Sequence, residues 1–453
     1  MEKDKTENLM ADSYSPLFYQ TDVELPLVAK AEGCRIWDTE GNVYIDGCSG
    51  AISVNMGHNH AGIKRAIQEQ MDKVSFTYRT QFESQVAIDL AYKLVGLANN
   101  KLDKVYFVGS GSEAVESALK LAIQYYYATG QKQRSRFVSL RPSYHGSTLG
   151  ALSVTAYTPL EKPFEAVTQK SIHIEGPSYY RKKEDSDDAH DDEMLRLARK
   201  AIFEEGGDTV AGIIVEPIGG ASTGARVLSK RYLSGLRNLC DEIGALLIMD
   251  EVMTGAGRTG VWYCWQSVDV VPDIMALAKG LGAGYYPVGA MLAKSKITDA
   301  VMNSGGFMHG HTYAGNPLAC ATAIGVLNAM EHENILDNVR RQGGKLKAQL
   351  LELQQRHSII GDVRGEGLLL AMEFVQDQAT KEPFPAELNV FSIVTTEAKA
   401  QGLLVYPRRC LDGTKGDHIL ITPPLILDDE IRNEIVQKLD VALRNTQDFL
   451  EKH

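Results

Sequence analysis

The stretch LIMDEVMTGAGRTG (247–260) decides the fold. Leu247, Ile248 and Met249 run straight into Asp250 and Glu251, and a glycine-rich segment follows. Apolar residues without alternation mark a strand covered on both faces, as in a parallel sheet flanked by helices. A carboxylate at the end of such a strand is expensive to desolvate unless something meets it. Either Asp250 serves local structure, as a cap or hydrogen-bond acceptor, or it faces a cation that the polypeptide does not supply.

The neighbouring segments repeat the pattern. VAGIIVEP (210–217) is another continuous apolar run ending in an acid, Glu216. VYFVGSGSEAVESALKLAIQYY (105–126) reads as a short strand, a glycine turn and a helix with Val115, Ala118, Leu119 and Ala122 on one face. RFVSLRPSYHGST (136–148) is a strand and a loop, and DIMALAKGLGAGYYPVGAMLA (273–293) is a strand, a loop carrying Lys279 and a further strand. Upstream, GCRIWDTEGNVYIDGCSG (33–50) predicts a hairpin turning at 39–42, with helices at 60–72 and 81–98. Downstream, 332–357 is a long amphipathic helix. VRGEGLLLAMEFV (363–375), a helix at 387–400 and HILITPPLIL (418–427) predict a strand–helix–strand layer, closed by a helix at 428–450. The polar segment RKKEDSDDAHDDE (181–193) predicts a solvated excursion and a helix start, without the glycine and oxygen spacing of a calcium loop.

Composition bounds the function. The 453 residues are 44% hydrophobic and 23% charged, enough for a large core. Net charge is −11, which gives no reason to expect nucleic acid, and the basic cluster at 132–136 is short. The six cysteines form no CxxC pair, which suits a reduced, cytoplasmic setting. The first residues carry charge rather than an apolar run, so neither a signal peptide nor a membrane span is expected. His58, His60, His309 and His311 lack an acidic ligand at coherent spacing, so no metal is expected.

Glu216, Asp250 and Lys279 all fall at the carboxyl ends of predicted parallel strands, where open sheets bind ligands. A lysine in a neutral setting suits Schiff-base chemistry, and a buried carboxylate opposite it suits a protonated pyridine nitrogen. Ser110, Gly111 and Ser112 at a helix start suit a phosphate, although the same turn reads equally as an N-cap. Glu216 reads also as a carboxylate satisfying loop N–H groups, and Tyr144 as ordinary core.

Taken together, YIDGCSGAISVNMGHNH, GSGSEAVESALKLA, YHGST, IIVEPIGG, LIMDEVMTGAGRTG, ALAKGLGAGYYPVGAM, HGHTYAGNPLA, GDVRGEGLLLAMEF and TPPLI resemble the class III pyridoxal-phosphate aminotransferases, in family order over roughly 30–430. The resemblance implies the α/β fold type I of pyridoxal-phosphate-dependent transferases. That fold has a large domain with a central, mostly parallel seven-stranded sheet and a smaller α+β domain. It divides the chain into an N-terminal segment at 1–70 that contributes to the small domain and dimer interface, a cofactor-binding domain at 71–330 and a small domain at 331–453.

Carried over by resemblance, Lys279 is the lysine that holds pyridoxal 5'-phosphate and Asp250 the partner of its ring nitrogen. Val252 and Tyr144 would cover the two ring faces, with His145 beside them. Ser110, Gly111 and Ser112 would form the phosphate cup, and Glu216 would stand near Asp250 or the cofactor hydroxyl. Thr312 would reach the phosphate of a neighbouring subunit, which implies a homodimer, or a dimer of dimers, with active sites at the interface. Tyr19, Tyr78, Phe82 and Arg408 are the expected substrate-binding residues.

The chain departs from ornithine and GABA enzymes where those carry a gating glutamate and its arginine, here Ala221 and Leu420. The position of the carboxylate-gripping arginine in many pyruvate-using omega-transaminases is Tyr406, with Arg408 and Arg409 close behind. The expected reaction moves an amino group from an amine or omega-amino acid to a small keto acid, with pyruvate foremost. The alternatives on the same scaffold are a decarboxylating transaminase, an aminomutase or a racemase. A catalytically silent binding protein is the reading outside enzymology.

Overall fold

The computed structural model describes residues 17–18 and 25–452. The chain begins with an antiparallel ladder of β1 (Val28–Glu32), β2 (Arg35–Asp38) and β3 (Val43–Asp46), whose β2–β3 hairpin is the expected one. The Asp38 carboxylate holds that turn by accepting the backbone N–H groups of Glu40 and Asn42. Helices α1 (Ala61–Met71) and α2 (Gln85–Leu97) lead into the central sheet.

That sheet comprises β4 (Lys104–Val108), β5 (Arg136–Arg141), β6 (Ile172–Glu175), β7 (Val210–Val215), β8 (Leu246–Asp250), β9 (Ile274–Leu277) and β10 (Gly289–Ala293). Its spatial order is β4-β10-β9-β8-β7-β5-β6, and only β10 runs against the others. Strands β7 to β10 are buried along their whole length, as their unbroken apolar runs require. Alternate residues feed two cores. Ile213, Val215, Leu247 and Met249 join one face, beneath α2, α4 (Asp187–Glu204) and α5 (Lys230–Ile243). Ile214, Leu246 and Ile248 join the other, against Ala114, Val115 and Ala118 of α3 (Gly111–Ala128).

Helix α6 (Pro317–His332) is capped by the Asn316 side chain, which accepts the N–H groups of Leu318 and Ala319. Asn334 (φ 52°) then breaks the chain, so α7 spans Ile335–Arg356 rather than beginning at 332. The C-terminal part departs further from expectation. Residues 363–375 do not form one strand but lie in a hairpin of β11 (Ile360–Glu366) and β12 (Leu369–Phe374), turning at Gly367 (φ 59°). A Cβ at Gly367 would meet the Arg258 carbonyl at 2.7 Å, so the turn packs too closely for any side chain. Helix α8 (Val390–Ala400), the short β13 (Leu403–Leu404), β14 (Tyr406–Leu411), β15 (Lys415–Ile421) and α9 (Asp429–Leu450) complete the chain. The result is a four-stranded antiparallel sheet, β11-β12-β15-β14, while β13 pairs in parallel with β3.

The segment 181–193 is only partly solvated. Asp191 is fully buried and accepts from the Tyr179 and Ser229 hydroxyls, and Arg181 pairs with buried Glu373 on β12. Its acids are therefore divided between solvent and a built junction. Among the described residues no helix is long and apolar enough to cross a membrane.

One buried cation ties these layers together. Arg258, 1% exposed, donates to the carbonyls of Leu368, Thr422 and Pro423, to Asn55 Oδ1 at 2.6 Å and to Ser49 Oγ. Burial pulls its pKa down to about 9, so the guanidinium still carries charge at neutral pH. Arg258→Met should strand these acceptors and lower stability by on the order of 3 kcal/mol. Thermal unfolding reads this, and an unchanged midpoint would contradict the clasp.

His418 on β15 offers a pH test of the C-terminal sheet. Burial, with the Arg364 charge beside it, pushes the imidazole down to about 3. Between that value and the ordinary 6.5 the unfolded chain binds a proton that the folded chain refuses, so stability is lost as pH falls below about 6.5. Removing the ring in His418→Met should cut the stability difference between pH 7 and pH 5 by on the order of 2 kcal/mol. Parallel denaturation curves at the two pH values would check it; an identical pH response in the variant counts against the assignment.

Candidate active site

The carboxyl ends of β4, β5, β7, β8 and β9 open into one cavity of ≈ 370 Å³. Its lining includes Ser110, Gly111, Ser112, Tyr144, His145, Glu216, Asp250, Val252 and Lys279. Nine of the residues expected from sequence thus meet in one place.

Strand parity explains the adjacent acids of LIMDEV. Asp250 follows Leu246 and Ile248 toward the α3 side, and Glu251 follows Leu247 and Met249 to the opposite side. There Glu251 accepts the backbone N–H groups of Cys264 and Trp265 and the Thr254 hydroxyl. Burial pushes its pKa up to about 7 against those bonds. Glu251 therefore belongs to structure and Asp250 to the cavity.

Asp250 is held on both oxygens. His145 Nδ1 lies 2.9 Å from Oδ2, and the Val252 N–H donates to Oδ1 at 3.0 Å. A carboxylate accepts about four hydrogen bonds, so capacity remains for a donor from the cavity. His145 Nε2 is buried without a partner among the described residues. Glu216 accepts the N–H groups of Gly220 (2.8 Å) and Tyr144 (3.2 Å). Burial raises its pKa to about 7, with the Asp250 charge adding and His145 opposing.

Lys279 sits in the left-handed region (φ 45°), uncommon for a residue with a side chain. Its Nζ donates to the Ala51 carbonyl at 3.0 Å. Desolvation lowers its pKa while Asp250 and Glu216 pull it back up, so the amine is easier to deprotonate than an exposed lysine.

The opposite end suits an anion. Ser110 caps the 18-residue helix α3 through its Oγ, which accepts from Glu113 N. The N–H groups at the first helical positions, Gly111 and Ser112, have no carbonyl one turn earlier to accept them. A Cβ on Gly111 would meet Val252 Cγ1 at 2.8 Å, so only glycine leaves this approach bare. Tyr144 and Val252 supply an aromatic and an aliphatic wall. Anion site, aromatic and aliphatic walls, carboxylate and amine in one cavity make a set that would suit pyridoxal phosphate.

The remaining expected residues stand elsewhere. Thr312 is exposed on the loop before α6, and Tyr78 and Phe82 are 50% and 68% exposed. None of the three lines the cavity of this chain. Arg408 points along the surface of β14, over the Tyr406 ring (5.1 Å). Tyr19 lies outside the described residues.

Sequence reading passed over Ser53, Ile218, Met253 and Tyr286 of the lining. Ile218 and Met253 follow Glu216 and Val252 by two residues and one, a signal that was present. Ser53 belongs to a segment more than 200 residues from Lys279, and nothing local announced it. Ala221, Leu420 and Tyr406 lie in one apolar cluster with Ile218 and Met253.

The aminotransferase class-III family matches residues 19–443. An uncharacterized aminotransferase of Bacillus subtilis, YodT, is 37% identical, covering 94% of this chain and 97% of its own. A probable gamma-aminobutyrate transaminase 3 of Oryza sativa subsp. indica is 32% identical over 94% of this chain and 84% of that one. Among solved structures, an amine transaminase from an uncultivated Pseudomonas species, in its PLP-bound form, superposes with a TM-score of 0.89 at 35% identity, covering 95% and 98% of the two chains.

Lys279→Ala should leave no covalent adduct when the cofactor-loaded protein is treated with borohydride and analysed by mass spectrometry; an adduct of undiminished yield would move the tether elsewhere. Asp250→Asn should reduce turnover by roughly 10–100-fold, the worth of one charge-assisted bond, with a smaller loss of cofactor affinity. Equal losses in both would make Asp250 a binding group only.

Proposed function

The chain belongs to the class-III aminotransferase family and is a pyridoxal-phosphate-dependent aminotransferase of fold type I, and from that premise we propose that it transfers an amino group from an amine or omega-amino acid to a small keto acid, pyruvate being the favoured acceptor. The observation that carries the donor class is the apolar end of the cavity. Ile218 and Met253 line it, backed by Ala221, Leu420 and Tyr406, all of them uncharged. A donor with an uncharged tail loses nothing there, whereas the carboxylate of an omega-amino acid, like that of the acceptor, has to reach the Arg408 guanidinium.

When bound, the coenzyme supplies an electron sink for the carbanion formed at the substrate carbon that carries nitrogen. The chain supplies the rest. The Lys279 amine, deprotonated more readily than an exposed lysine, takes the proton from that carbon on Nζ and returns one later. Asp250 presents a carboxylate to the ring nitrogen, and His145 and the Val252 N–H keep it in line. Ser110, Gly111 and Ser112 receive the phosphate at the α3 N-terminus. Tyr144 covers the ring and exchanges a hydrogen bond with Ser147 at 3.1 Å. Glu216 fixes the Tyr144 backbone from behind.

The acceptor carboxylate falls to Arg408 in this reading. Its guanidinium rests on Tyr406, a ring packed against the same apolar cluster as Ile218. A guanidinium binds a carboxylate with two parallel bonds, which orients as well as attracts.

A homodimer belongs to the same reading, with Thr312 meeting the partner's phosphate and Tyr78 and Phe82 at the shared face. In support, Phe76 stacks edge-on against Tyr313 at 5.8 Å, Arg79 donates to the His309 carbonyl, and Tyr78, Phe82 and Met308 of the same two segments are exposed. Exposed aromatic side chains of this kind are what an interface covers. Six unpaired, buried cysteines suit a reducing cytoplasm.

Incubation with primary amines, omega-amino acids and pyruvate should yield alanine in step with carbonyl product. Turnover that needs no pyruvate and yields no alanine would favour an aminomutase or racemase, and release of carbon dioxide a decarboxylating transaminase. Arg408→Ala should raise the pyruvate KM by on the order of tenfold or more and leave the KM of a neutral amine nearly unchanged. An unaltered pyruvate KM removes Arg408 from the site.

A further inference from the structure

Behind the active-site loop lies a second, larger recess of ≈ 840 Å³, lined among others by Arg141, Arg181, Lys183 and Arg226. The first two are already committed. Arg141 pairs with Glu161 and Asp412, and Arg181 pairs with Glu373 and donates to the Lys381 carbonyl. Arg226 differs. It is only 9% exposed, yet its guanidinium makes no hydrogen bond or ion pair among the described residues.

The carboxylates near it are engaged elsewhere. Arg181 and Arg364 share Glu373, and Arg364 takes Glu373 and Asp362 at 2.6 and 2.9 Å, while of the acids lining the recess Asp412 pairs with Arg141, Glu184 with His190 and Glu193 with Arg196. Arg364 adds two bonds to the Thr223 and Gly224 carbonyls. The Arg226 guanidinium is therefore left without a counter-ion among the described residues. A buried guanidinium without a counter-ion is held at considerable cost, which an exogenous anion would remove. Lys183, exposed at the rim, is a second cation with no ion pair among the described residues, whereas the rim carboxylate Glu175 makes none with Arg226.

We propose that Arg226 forms the floor of an anion site in this recess, taking the oxyanion of a small carboxylate or phosphate ester through a two-bond guanidinium contact, with Lys183 closing over it. The site is separate from the coenzyme cavity but shares a loop with it. The Arg226 carbonyl accepts Gly219 N at 2.8 Å, and the next residue, Gly220, donates to Glu216. Arg226 and Glu216 also line the same small void between the two. An anion here bears on the backbone that positions Glu216.

Calorimetric titration of the cofactor-loaded protein with inorganic phosphate and, separately, with succinate in low-salt HEPES tests this. At least one probe should bind at one equivalent per chain beyond the coenzyme and raise the unfolding midpoint. Binding of phosphate alone identifies a phosphate ester and binding of succinate alone a carboxylate. Arg226→Leu should weaken the effective probe by about tenfold or more and itself raise the midpoint in the absence of the anion, because an unpaired charge is gone. If that variant does not fold, Arg226→Lys keeps the charge, loses the two-bond geometry and should still bind several-fold more weakly. No binding of either probe to the unaltered protein, or undiminished binding by the Arg226 variant measured, overturns the site.

Discussion

A carboxylate at the end of a strand with no exposed residue sets the terms for everything around it. Asp250 is held there by His145 and the Val252 N–H, and it faces a cavity rather than packed side chains. Its neighbour Glu251 solves the same problem in the opposite way, closed off by two backbone N–H groups and a hydroxyl. Two adjacent acids on one strand thus take opposite faces and unrelated duties. Period-two geometry alone separates them.

The cavity is also an assembly of distant segments. Ser53 and the Ala51 carbonyl come from the first tenth or so of the chain, while the apolar end rests on Leu420 and Tyr406. Arg258 is what keeps these parts in register, drawing carbonyls of 368, 422 and 423 and the side chains of Ser49 and Asn55 onto one guanidinium. No single carboxylate would do this, since a bidentate pair would spend the donors on one partner. Loss of Arg258 would therefore affect the shape of the cavity as well as stability.

Much of this was legible in the sequence, for reasons specific to the residues. Continuous apolar runs announced the parallel strands, and acids or lysine at their ends announced Glu216, Asp250 and Lys279, because those signals are local. The hairpin at 360–374 was not legible, since the Gly367 turn lies within a run that reads as one strand. Its cause is a contact with Arg258 more than a hundred residues away. Asp191 lay in a segment whose composition says solvent, and only the fold supplies Tyr179 and Ser229 as its partners. The functional meaning of Ala221, Leu420 and Tyr406 came from resemblance, and their convergence in one cluster could come only from tertiary structure.

The role proposed for Asp250 requires a protonated ring nitrogen on the bound coenzyme, facing that carboxylate. Nitrogen NMR of the holoenzyme, reconstituted with coenzyme labelled with 15N in the ring, reads that proton without reference to turnover. A protonated pyridine signal that persists well above the pH at which the free coenzyme loses its ring proton is the predicted result. A signal that follows the free coenzyme would mean that the Asp250 carboxylate is satisfied by His145 and Val252 alone, and would contradict the central claim.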